Sequence, residues 1–168
     1  MKLTDILPIE KWVELEKEIS ERYGFNAAVF DKEGNKITQY LKWANSLCPV
    51  IKGDEKGRTF VCAVANQNMI AQAKRTKKTV NGECDAGLVK FLVPIFVGEE
   101  LLGVIGGCGR LLHGSEVDAF LLNKSTGIDL AKIEALSGDV TDISTDEVNS
   151  IISYLEEKIE GIVSGFSK

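Results

Sequence analysis

Between residues 9 and 23, Trp12, Leu15, Ile19 and Tyr23 recur at spacings of three and four. That period makes one apolar stripe and predicts an amphipathic helix, with Pro8 suited to its first turn and Gly24 to its C-terminal cap. Phe25 to Phe30 and Asn35 to Tyr40 then flank Asp31-Lys-Glu-Gly34, which reads as a hairpin. A longer helix is expected from about Thr59, with Cys62, Ala65, Met69 and Ala73 on one face; a shorter one is expected near Pro49 to Lys52. The strongest pattern follows. Two apolar runs, Leu88 to Val97 and Leu101 to Ile105, are joined by Gly98-Glu99-Glu100, the signature of a second hairpin covered on both faces. Pro94 removes a ladder donor and points to an edge or a bulge. Beyond Leu102 the second arm fills with Gly103, Gly106, Gly107 and Gly109, which predicts a bulge or a close approach to the backbone.

The last third reads as helices. Ser115 is the expected cap of a short helix through Leu122, and Asp129 to Leu136 forms another. Ser144-Thr-Asp-Glu147 fits a capping box. After it, Val148, Ile152, Leu155, Ile159, Ile162 and Phe166 alternate spacings of four and three. Such a seam serves either packing against the sheet or a dimeric helix that passes a signal onward. The chain thus divides into residues 1–143 and a C-terminal amphipathic helix over 144–168.

Composition narrows the function classes. With 168 residues, 44% of them hydrophobic and 27% charged, the chain suits one domain with a real core. The net charge of −5 gives nucleic-acid binding no electrostatic support. Lys74, Arg75, Lys77 and Lys78 cluster where a helix end favours basic residues. No apolar run approaches the ~20 residues of a membrane span, and no signal-peptide pattern opens the chain, so a cytoplasmic setting without membrane contact is expected.

In that setting Cys48, Cys62, Cys84 and Cys108 are expected to stay reduced. No two are close enough in sequence for a zinc-finger or thioredoxin motif, so a shared role requires the fold to gather them. Two readings stay open: a metal, iron–sulfur or haem site held by Cys48, Cys62, Cys84 and Cys108, or core and redox roles. His113, the only histidine, is a candidate axial ligand or an ordinary surface residue. Asp85 serves either ligand contact or a turn, and Trp43 beside Tyr40 either walls a pocket or simply packs. No serine elbow, phosphate loop or His-Glu-x-x-His motif is present, and a non-enzymatic protein is expected.

Cys84-Asp-Ala-Gly-Leu88, followed by Val93-Pro-Ile-Phe-Val-Gly-Glu-Glu-Leu-Leu-Gly103, resembles the PocR sensory-domain family. The opening helix before Gly24, the Phe30-Asp-Lys-Glu-Gly34 turn, Cys48 and Cys62 match that family's layout, and the similarity spans most of residues 5 to 115. The resemblance implies a PAS/GAF-like α+β fold, an antiparallel sheet flanked by helices around a small-molecule pocket, with simple hydrocarbon derivatives such as small diols as ligands. It implies a role in prokaryotic signal transduction, with Cys48, Cys62 and Cys84 among the recurring family positions. The chain departs where the family tends to have Gly-Gln and this sequence has Gly107-Cys108. On this reading Trp43, Cys48, Cys62, Cys84, Asp85 and Cys108 are the candidate ligand-binding residues. Partners are a small molecule and an output protein that the sequence does not identify, with homodimerisation through the last helix left open.

Overall fold

A computed structural model describes residues 1–168. The expected α+β architecture is the one observed: an antiparallel sheet flanked by helices, closed by a C-terminal amphipathic helix. After α1 (Leu3–Ile6) comes α2 (Ile9–Tyr23), whose stripe buries Trp12, Leu15 and Ile19, and Gly24 ends it with a left-handed φ of 72°. β1 (Asn26–Asp31) leads through a long connection to α3 (Leu47–Gly53) and α4 (Glu55–Gly57). A π-helical turn (Arg58–Ala63) carries the chain into α5 (Val64–Thr76). Then follow β2 (Val80–Glu83), β3 (Val89–Val97), β4 (Glu100–Leu112), α6 (Ala119–Thr126), α7 (Leu130–Leu136), β5 (Asp142–Ile143) and α8 (Thr145–Phe166).

The strand order is β1-β4-β3-β2, with the short β5 added parallel to β4. β3 and β4 form the expected hairpin. Gly98, at a φ of 60°, opens a two-residue turn that places Val97 opposite Glu100. Pro94 lies beyond the end of β2, where one edge of β3 has no strand beside it, so its missing donor breaks no ladder there.

The first predicted hairpin is corrected. Only Phe30 and Lys36 form a bridge, and no strand follows over residues 35–40. Buried polar chemistry draws that arm away. Thr38 Oγ1 donates to both carboxylate oxygens of Glu16, at 2.7 and 2.6 Å, while the other edge of β1 pairs with β4. The cap of α6 is corrected too. Asp118, not Ser115, accepts from Leu121 N at 3.0 Å, because Asp118 N is already fixed to Ala86 O at 2.9 Å. The capping box forms as expected: Ser144 Oγ accepts from Glu147 N at 3.1 Å, and Glu147 Oε2 from Ser144 N at 3.3 Å.

The sheet separates two apolar layers. One face carries Phe25, Val29, Phe91, Val93 and Ile105 against α2 and α8. Here α8 buries Val148, Ile151, Ile152, Leu155 and Ile159, so most of its seam packs on the sheet, and Phe166 is exposed. The other face carries Phe30, Leu92 and Val104 against Met69, Ile70 and Ala73 of α5. A further cluster joins Leu47, Ile51, Val61, Leu88, Leu122 and Ile133 at the end of that layer.

Candidate functional site

The polar and sulfur-bearing residues collect on the second face of the sheet. In register, Asn26 of β1, Cys108 of β4 and Lys90 of β3 stand side by side across three strands. Residues directly opposite in antiparallel strands share a face, so the three side chains form one row. A bulge fixes this arrangement. Val89 opposes Arg110 while Lys90 opposes Cys108, which leaves Gly109 as an extra residue at a φ of 99°. A Cβ on Gly109 would lie 2.5 Å from Asn26 Nδ2, so both its conformation and its surroundings require glycine. The bulge sends Arg110 to the opposite face, where it donates to Tyr23 O at 2.7 Å and lies 5.5 Å from the Phe25 ring centroid.

Two asparagines brace the site. Asn45 is buried; its Oδ1 accepts from Cys48 N at 2.7 Å and its Nδ2 donates to Gly109 O at 2.8 Å and Cys48 Sγ at 3.3 Å. It therefore ties the start of α3 to the bulge. Asn26 Oδ1 accepts from Ala44 N at 2.6 Å, and Nδ2 lies 3.8 Å from Cys108 Sγ. Neither residue stood out in the sequence, because each joins the site through a contact far along the chain, Asn45 to Gly109 and Asn26 to Ala44 and Cys108.

Between the row and the helices lies a cavity of about 80 Å³. Its sheet wall includes Ala28, Leu92 and Gly106, and its helical wall Ile51, Val61 and Ala65. Cys48, Cys62, Cys84 and Cys108 all line it, as does Trp43. Asp85 is exposed in the turn after β2 and lies outside the lining. His113 also lies outside: its side chain is 80% exposed and its Nδ1 is 2.6 Å from Asp142 Oδ2. The expected four-cysteine metal set is not gathered as such. No three His, Cys, Asp or Glu side chains come together in an arrangement that holds a metal ion. The sulfurs reach the cavity from four elements: α3, the π-helical turn, the turn after β2, and β4.

Burial decides the chemistry of these thiols. It raises Cys48 to about 12 and Cys84 to about 11, with Cys108 adding to both, and raises Cys62 as well. For Cys62, the position near a helix start therefore does not win over desolvation. The sign for stability follows directly: a thiol pKa above its ordinary 9.0 favours folding below pH 9, and that contribution is lost as pH rises toward 11 to 12. Alkylation of Cys84 at pH 8 is expected to run roughly 100-fold slower in the native protein than in denaturant, because only thiolate reacts. Timed iodoacetamide labelling read by mass spectrometry checks this, and equal rates in both states would refute it.

Three cations also line the cavity: Lys36, Lys52 and Lys90. Lys36 lies 3.9 Å from Glu16 Oε1 and donates to Tyr40 O. Lys52 is exposed, 6.0 Å from the Trp43 ring centroid. Lys90 is 7% exposed. Asn66 Oδ1 is buried at the same wall with no hydrogen-bond partner. Lys90 and Asn66 are the site residues that sequence reasoning passed over.

Comparison with known proteins matches residues 5–165 to a family described as the sensory domain found in PocR. No curated protein and no solved structure matches the chain. No helix is long and apolar enough to cross a membrane.

Proposed function

The chain belongs to the PocR sensory-domain family, and on that premise we propose that it senses a small molecule held in the cavity between the sheet and the layer of α3, the π-helical turn and α5. The observation that carries this reading is the cavity's composition. Its wall is mostly apolar, with a few polar groups converging from separate elements, as small-molecule sites require. The volume of about 80 Å³ is roughly half that of an engineered 150 Å³ cavity that takes benzene, so the ligand is a compound of a few heavy atoms. Trp43, Cys48, Cys62, Cys84 and Cys108 are its proposed contacts, and the protein acts as a binding domain rather than an enzyme.

Signal output follows from what shares the sheet. β3 carries Lys90 and Leu92 on the cavity side and packs against α8 on the other. A ligand that shifts β3 changes the seat of α8, and with it the helix surface offered to a second copy or an output protein. A thiolate-bound metal, iron–sulfur cluster or haem is the second reading, favoured by the four sulfurs that line the cavity. It demands that the wall rearrange, and anaerobic purification with absorption spectroscopy and metal analysis tests it.

For the first reading, short alcohols, diols, aldehydes and carboxylates are titrated into the isotope-labelled protein. The expected result is amide shifts at Ala28, Cys62 and Gly106 to Gly109, with a rise in melting temperature at saturation. Ala28→Phe, which fills the cavity, is expected to abolish both. A panel that leaves these amides unmoved, or moves amides elsewhere, removes the cavity from the reading.

A further inference from the structure

Lys90 lies in the apolar run of β3, on a strand with neighbours on both sides at that point. The residue is 7% exposed and lines the cavity, its ammonium takes part in no ion pair, and its Nζ is not fully enclosed, so the charge keeps a small accessible surface without a protein partner. Burying a cation without a partner is costly, so native proteins pair such groups or set them against a ligand. The candidates for a counter-charge are few. No aspartate or glutamate lines the cavity. Opposite Lys90 in the two flanking strands stand Cys108 and Gly82. The thiols of Cys48, Cys62 and Cys84 are held neutral by burial. Glu16 already serves Lys36, Thr38 and Val29 N and does not line the cavity.

The remaining wall sets the shape of what answers this charge. Ala28, Leu92, Ile51 and Val61 give an apolar surface beside Lys90, and Trp43 with Lys52 stands at the more open side. One cavity-lining cation without a protein partner is complemented by one negative charge. The volume permits only a few heavy atoms beyond it. Asn66 Oδ1 adds an acceptor with no donor, which a ligand hydroxyl or the turned amide satisfies.

We propose that the sensed molecule is a small monocarboxylate, its carboxylate against Lys90 and its short aliphatic body against Ala28, Leu92 and Val61. This rests on the reading of the cavity as the sensory site and names the ligand class it takes. A neutral diol of the same length fills the space but leaves Lys90 unanswered. A charge-assisted contact in a partly dry site is about twice as strong as a neutral one, so the acid is preferred.

The test uses the full chain with sodium acetate, propionate and butyrate, against 1-propanol, 1,2-propanediol, sodium phosphate and sodium chloride at matched ionic strength. Melting temperature and amide spectra are read together. Propionate or butyrate is expected to bind at least tenfold more tightly than the matching alcohol and to shift Asn26, Lys90 and Gly106 to Gly109. Lys90→Met keeps the length and removes the charge; it is expected to lose the carboxylate response at least tenfold while keeping any weak alcohol response. Lys52→Met is expected to change affinity only a few-fold. Alcohol or diol binding in the cavity as tightly as carboxylate, or an unaltered carboxylate response in Lys90→Met, overturns the anion assignment and leaves the sensory cavity standing. A preference for phosphate overturns it in favour of a different oxyanion. Failure of every compound to move the cavity amides overturns both readings. Should Lys90→Met not fold, nuclear Overhauser contacts from butyrate methyl protons to Leu92 and the Lys90 side chain in the wild-type protein decide the matter, and their absence counts against the proposal.

Discussion

Gly106→Ala is expected to cost about 3 kcal/mol or more, a large share of the 5–15 kcal/mol that holds a typical domain together. The reason is geometric. A Cβ at position 106 would stand 1.8 Å from the Phe91 carbonyl oxygen and 2.9 Å from its carbon, with Leu92 Cδ2 at 3.0 Å. Two of those three atoms are backbone of the paired strand, so no rotamer change relieves the clash. β3 and β4 must separate, and they are the central pair of the sheet. Gly82→Ala is the control: nothing lies within 4 Å of its added carbon, and the change is expected to stay within about 0.5 kcal/mol. Urea unfolding of both variants provides the measurement. Equal stabilities for the two would refute the close-approach account of the glycine-rich arm.

Glu16→Ala is the second large effect. Glu16 is fully buried on α2, where its Oε1 accepts from Val29 N at 2.9 Å and both oxygens accept from Thr38. Removing it strands an amide, a hydroxyl and the Lys36 ammonium, and about 3–5 kcal/mol is expected to be lost. The melting temperature should fall by roughly 10 °C. The same residue sets an unusual pH response. Burial, partly opposed by Thr38, Lys36 and Val29, raises its pKa above 4.5. The native state therefore holds its proton more firmly than the unfolded chain. The resulting stabilisation is fully present below pH 4.5 and is lost as pH rises through the folded value, opposite to an ordinary paired carboxylate. Glu16→Gln keeps an acceptor for Val29 N and is expected to flatten this slope. Denaturant melts across pH 4 to 8 measure it, and an unchanged slope in Glu16→Gln would assign the effect to other groups.

Local signals were legible where the determining partners are near in sequence. The α2 stripe, the capping box at Ser144 and the β3–β4 hairpin each depend on residues a few positions apart. The same reasoning misled at Asn35 to Tyr40, where turn chemistry at Asp31 to Gly34 was sound but the arm beyond it answers to a carboxylate on another helix. Glu16 was partly visible: it follows Trp12 by four residues and so falls on the apolar stripe, where a charge is out of place. Lys90 carried a similar signal, as the one charged residue in the run from Leu88 to Val97. Cys48, Cys62, Cys84 and Cys108 were singled out and do line one cavity, although without forming a metal-holding cluster. Asn26 and Asn45 carried no signal, since Asn26 bonds Ala44 N and Asn45 bonds Gly109 O, groups that only the folded chain brings near. Asn66 carried none because it is marked only by where its side chain is enclosed.

The extra residue at Gly109 reverses the parity of the strand. From Val104 to Cys108, even-numbered positions of β4 belong to the cavity side of the sheet; past the glycine, Leu111 joins the apolar cluster beneath it while Arg110 and Leu112 turn to the other side. Were the same residues paired without the bulge, Arg110 would aim its guanidinium where a leucine now packs; a chain lacking the extra residue would instead pair regularly and keep both side chains on their present faces. Related sequences that lack one residue here would therefore lose the bulge while enclosing the same chemistry, and those that keep the length but pair it regularly would enclose the opposite one.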